Sequence, residues 1–396
     1  MDIFQVQSQY LLEYLVMIIG TLILLIIPRY SKLFWNIDTK DINIFPQKRL
    51  TSIDTLKGIA IIGVIIIHAC YLLAFEYNTL FDSILLSVIN NIFRFAIPVF
   101  LFTSGLLLKP FIWSKAGIIQ FYGSKIIRIA IPYIIITTIL WQIGYSGDIT
   151  LPKLLISGEA AIPFYFIPVL FQLYLLYPLL DYIRKISPKY LLIGVLSISL
   201  ISFFIPDTWY LWDIPLCGQY LIFFVYGMVR KNIFSEAPSS IWQELIWIYF
   251  ALQTSIIVLL PYLNLSKTIV TSLSFYNVQI FFGFAIIFIV WNYFQKSNPI
   301  ATMIQNIVSP LGHISLWIFL FHFPIQQIIF IVHPFSNQLL IVQVILYTLI
   351  TLIITLPISF GFAYVYRNIE LIFIPLLKKN MYLQNIVIMI YYFYNN

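Results

Sequence analysis

The sequence predicts an all-α, polytopic membrane protein of about eleven spans, on three observations. Only 9% of its 396 residues are charged while 61% are hydrophobic, with a mean hydropathy of +0.95. A soluble domain carries about 25% charged residues, so lipid has to face much of this surface and no soluble domain of useful size is left over. Second, the apolar residues fall in continuous runs of the length that a bilayer core about 30 Å thick demands of a helix. A membrane barrel would instead alternate apolar and polar residues. Third, the basic residues between the runs fall predominantly on one side.

In chain order the runs lie near 11–28, 56–75, 84–108, 129–146, 163–181, 190–206, 216–230, 241–262, 275–294, 312–332 and 338–366. The first follows Asp2 and Glu13 rather than a basic stretch, and no small-residue cleavage site follows it, so it reads as a true span and not a leader. The runs at 190–206 and 216–230 are short, and 151–162 has the character of a half-membrane segment. Ile386–Tyr394 is too short to cross and is expected at the interface. Nineteen of the 22 Lys and Arg residues fall on one side of this arrangement, which predicts a cell-membrane protein with its N-terminus outside and its C-terminus in the cytoplasm.

The net charge of +7 therefore reads as topology and not as a nucleic-acid footprint. Cys70 and Cys217 sit inside apolar runs and offer neither a disulfide framework nor metal-ligand spacing.

Ionisable groups at membrane depth are costly and mark function. Lys57 and His68 are eleven residues apart, about 16 Å of helix and three turns plus about 20°. A cation at the cytoplasmic rim and an imidazole at mid-membrane thus share a face, with Tyr71 close to it. Imidazole is the side chain best suited to take a proton near neutral pH; a histidine hydrogen-bonded to a neighbouring helix is the plainer reading. Asp54, three residues before Lys57, can pair with it or serve as an N-terminal helix acid. Arg94, beside Asn90 and Asn91, suggests a polar outer cavity or a buried ion partner. Lys125 and Arg128 share a helix face and, with Lys109 and Lys115, could bind a phosphate group. His322 lies about as deep as His68, whereas His313 and His333 sit at the two ends of that run.

Taken together these stretches resemble the acyltransferase-3 family of membrane acyltransferases. Asp54-Thr55-Leu56-Lys57-Gly58 with His68 resembles that family's basic residue, ten residues, His pattern in its first core helix. The Pro98–Gly105 stretch, with Arg94 upstream, is similar to its second helix. Lys125-Ile126-Ile127-Arg128 followed by Ile131-Pro132 is similar to its basic pair. Phe166-Ile167-Pro168-Val169-Leu170, then Gln172-Leu173-Tyr174 and Pro178, resembles its fourth-helix signature, and Gly312–Pro324 its late helix ending in His. Lys57 and Lys125 stand where Arg is common, Tyr165 where Trp is expected, and Phe319 where Tyr is usual.

The resemblance implies a ten-helix core over residues 50–367, an extra N-terminal helix and loop at 1–49, and a cytoplasmic or interfacial tail at 368–396 with no fused hydrolase-like domain. It implies transfer of an acyl group, acetyl first, from cytoplasmic acyl-CoA to a hydroxyl of an extracytoplasmic glycan or polysaccharide, without a metal. Under it His68, Lys57 and Asp54 are the catalytic set, Lys125, Arg128 and Lys57 hold the acetyl-CoA donor, and Arg94, His322 and Tyr71 contact the acceptor. Export of polysaccharide without acyl transfer is the alternative on a related fold, and a proton-coupled transporter using His68 and His322 is a further one.

Overall fold

The structure, a computed structural model, describes residues 51–76, 79–202, 214–229, 299–332 and 334–394. Every regular element among them is helical. The spans expected near 11–28, 241–262 and 275–294, and His333, lie outside the described residues. Six helical stretches are long and apolar enough to cross a membrane: Thr51–Leu73, Leu80–Leu106, Lys115–Gln142, Ile162–Ile186, Ser315–Val332 and Leu340–Leu371. The shorter apolar helices Pro188–Ser199 and Gly218–Val229 accompany them.

In chain order the α-helices are α1 (Thr51–Leu73), α2 (Leu80–Phe93), α3 (Ala96–Leu106), α4 (Lys115–Lys125), α5 (Ile131–Gln142), α6 (Leu151–Ser157), α7 (Phe166–Ile186), α8 (Pro188–Ser202), α9 (Leu221–Val229), α10 (Pro299–His313), α11 (Ser315–Val332) and α12 (Leu340–Tyr394). Two boundaries differ from expectation. The basic segment expected as a loop before the third core span is helical from Lys115, because Ser114 caps it by accepting from the Gly117 amide. The run at 312–332 divides at Ile314, and α10 ahead of it packs antiparallel along α1. The last helix, α12, runs from Leu340 to Tyr394.

Glycines set the closest approaches. A Cβ on Gly312 would collide with the Asp54 carbonyl, and one on Gly58 with the Val308 carbonyl, so α1 and α10 meet backbone to backbone. Gly105 and Gly227 join α3 to α9 in the same way, against the Phe224 and Phe102 carbonyls. Lipid supplies no hydrophobic drive between helices, so such small-residue contacts, which maximise van der Waals packing, are what hold the bundle. One broken helix also has a chemical cause. Pro98 has no N–H to give the Arg94 carbonyl, and the chain bends at Arg94–Phe95 between α2 and α3.

Candidate functional site

His68 and His322 meet in the interior. Their ring centroids are 5.4 Å apart at a tilt of 44°, and Phe323 meets His68 edge-on at 5.0 Å. His68 is 8% exposed and His322 fully buried. His322 Nδ1 lies 2.8 Å from the Phe319 carbonyl and 3.2 Å from that of Ile318. A carbonyl can only accept, so Nδ1 carries the proton, and in the neutral ring Nε2 is left with a free lone pair. Neither that Nε2 nor His68 Nδ1 has a hydrogen-bond partner among the described residues. Two buried imidazoles, ring beside ring and each with an unbonded nitrogen, form a site able to move a proton or hold an electrophilic carbon.

The helix turn beneath His68 is gripped from two sides. Gln326, one turn beyond His322, donates to the Ile65 carbonyl at 3.1 Å, and Asn90 reaches the Ile67 carbonyl at 3.4 Å. Arg94 Nε donates to Asn90 Oδ1 at 2.9 Å, so Arg94 is connected through one amide to the residue next to His68. Asn90, Gln326 and Phe323 are absent from the sequence-derived set. Gln326 sits four residues from His322, the spacing that places two side chains on one helix face.

Asp54 is buried and Lys57 half-buried at the start of α1. Tyr71 is half-buried and packs edge-on against Phe75, towards the far end of α1. His313 is exposed at the end of α10.

Lys125 ends α4, and Arg128 lies within the turn of π-helix that follows it, Ile126–Ala130. The turn directs them to different neighbours. The Lys125 ammonium is 4.2 Å from the centroid of the Tyr174 ring on α7 and 5.6 Å from that of Phe121. Arg128 is exposed and faces Glu370 of α12 at 3.9 Å. Behind them a buried ion cluster organises the same end of the bundle. Asp181 accepts from Arg184 at 2.6 Å, from Lys185 at 2.9 Å and from the Phe111 amide at 2.9 Å. Tyr177 donates to the Lys109 carbonyl. The Lys109–Phe111 segment is thereby fixed to α7.

The acyltransferase domain profile of this family matches residues 50–364. The chain belongs to the acyltransferase-3 family. No curated relative and no solved structure matches it. As an acyltransferase-3 protein it is a membrane acyltransferase, which requires an acyl donor and an acceptor. Within the matched region lie both buried imidazoles, the Arg94–Asn90 link and the π-turn with its basic pair.

Proposed function

We propose that this acyltransferase carries an acyl group, acetyl in the first instance, from cytoplasmic acetyl-CoA to a hydroxyl of a glycan or polysaccharide outside the cell membrane. The observation that supports this reading most is the His68–His322 pair: two buried imidazoles with unsatisfied nitrogens between a basic end and the Arg94–Asn90 side of the bundle. Lys125 and Arg128 hold the CoA phosphates. Lys57, with Asp54 one turn before it, guides the pantetheine arm along α1 towards His68. Arg94, His322 and Tyr71 receive the acceptor.

Two routes serve this geometry. In the direct one, His68 takes the hydroxyl proton as the oxygen attacks the thioester carbon. The C–S bond breaks with its electron pair on sulfur, and the imidazolium returns the proton to the thiolate. In the relay, His68 itself attacks the carbon, the C–S bond breaks with its pair on sulfur, and the thiolate takes the imidazole proton and leaves as CoA; the acceptor oxygen then replaces the imidazole nitrogen and gives up its proton to it. A relay lets donor and acceptor work from opposite compartments without meeting.

The test uses the protein in membrane vesicles that carry the cell's own glycans, with release of CoA from acetyl-CoA followed by a thiol reagent. His68→Gln is expected to abolish release, and undiminished release in that variant overturns the assignment. Exchange of labelled CoA into acetyl-CoA in purified protein without acceptor identifies the relay; release that occurs only with acceptor identifies direct transfer.

A further inference from the structure

The basic pair sits on an irregular turn whose shape leaves one backbone group without a partner inside its own helix. The Ile131 N–H donates to the Ile126 carbonyl, the π register. The donor this register would supply to Ile127 is the N–H of Pro132, and proline has none. The orphaned Ile127 carbonyl is instead bonded by the Tyr366 hydroxyl of α12. Tyr366 is buried, and its ring packs edge-on against Trp317 of α11 at 5.3 Å. One turn further along α12, Glu370 faces the Arg128 guanidinium.

We propose that Tyr366 and Glu370 form a latch on the donor site: Tyr366 holds the π-turn that presents Lys125 and Arg128, and Glu370 occupies Arg128 until a phosphate of the donor replaces it. This rests on the reading that the pair binds CoA phosphates. The two contacts differ in the way such a latch needs. A buried carbonyl bonded by a buried hydroxyl is a fixed contact, because leaving the carbonyl unsatisfied is costly. The ion pair is long, and its side chains are 57% and 31% exposed, so it exchanges readily. A dianionic phosphate offers Arg128 a bidentate partner that the 3.9 Å contact with one carboxylate oxygen does not match. Glu370 need not be left without a counter-charge when displaced, because Arg367 lies three residues before it on the same helix. Among the described residues, Arg128 and Arg367 are the cations beside Glu370.

The signs of the two substitutions are opposite, which separates the latch from general damage to the fold. Acetyl-CoA binding is measured by calorimetry on the full chain in lipid, with melting temperatures confirming the folded state. Glu370→Gln is expected to tighten acetyl-CoA about two- to fivefold, the scale of an exposed ion pair. Tyr366→Phe is expected to weaken it about fivefold or more, because the turn loses its tie. S-acetylpantetheine, which has no phosphate, is expected to bind wild type and Glu370→Gln alike. Binding of acetyl-CoA by wild type with no tightening in Glu370→Gln overturns the latch alone. Failure of folded wild type to bind acetyl-CoA overturns the donor reading and the latch with it.

Discussion

Around His68 and His322 the neighbours are aromatic rings and backbone carbonyls, and both rings are buried. Around Lys125 and Arg128 the neighbours are a tyrosine face and one exposed carboxylate. The first region is built to keep two reactive nitrogens in fixed places without satisfying them. The second keeps charges loosely partnered so that a ligand can take them over. Fixed geometry suits bond-making, since transition-state stabilisation depends on placement within fractions of an ångström. Exchangeable ion pairs suit capture and release of a charged donor.

The sharpest way to break this contrast is at the imidazoles. Removing a general base or a nucleophile costs about 10²–10⁴-fold, so His68→Gln is expected to lower CoA release at least 100-fold, with little change in acetyl-CoA affinity. His322→Gln is expected to act in the same direction, because glutamine offers no basic nitrogen at the position of Nε2. If either variant instead lost donor binding and kept its rate of release once saturated, the division between a reacting centre and a capturing end would be wrong.

Asp181 tests whether the basic end also has a fixed foundation beneath its mobile pairs. Its carboxylate is fully buried and bonded by Arg184, Lys185 and the Phe111 amide. Breaking a buried ion pair by removing one partner costs about 3–5 kcal/mol. Asp181→Asn is therefore expected to lower the melting temperature in lipid clearly. Lys153→Ala, whose pair with Glu159 is exposed and 3.9 Å long, is expected to leave it unchanged. Equal melting temperatures for the two variants would show that the loop at Lys109–Phe111 is not held by α7.

Gly312→Ala comes next. The added Cβ meets the Asp54 carbonyl, so α10 has to move away from the start of α1. Overpacking of this kind costs about 1–3 kcal/mol. The expected result is a moderate fall in melting temperature with a larger fall in CoA release, because Asp54 and Lys57 lie on the turn that is displaced.

Much of this was legible in the chain. Continuous apolar runs and the one-sided distribution of Lys and Arg are period-independent signals, and six of the expected spans correspond to long apolar helices. His68 and His322 stood out because an ionisable group in an apolar run has few innocent explanations. Their adjacency was not legible, since 254 positions separate them and nothing in either run reports its neighbour. Gln326, and the partner of Asn90, were hidden for a similar reason: these side chains bond to carbonyls, which every residue possesses. The π-turn escaped notice because Lys125 and Arg128 were placed by regular helical spacing. Pro132 carried the signal, as a proline four or five residues beyond a carbonyl removes the donor that either helical register would supply.

The smallest expected effect asks whether Tyr174 takes part in donor capture or only fills space. Its ring is buried and lies 4.2 Å from the half-buried Lys125 ammonium, a contact worth about 0.5–2 kcal/mol. Lys125→Gln removes the proposed phosphate ligand outright and is expected to weaken acetyl-CoA several-fold more than Tyr174→Leu, which only lets the ammonium move. The informative measurement is the pair together. If the tyrosine acts by aiming the lysine, Tyr174→Leu has no further effect on affinity once Lys125 is glutamine, and the double variant equals Lys125→Gln within about 0.3–0.5 kcal/mol. Additive losses would mean that the ring meets the donor itself, by stacking on its adenine, and the end of the bundle read here as purely electrostatic would then recognise the base as well as the phosphates.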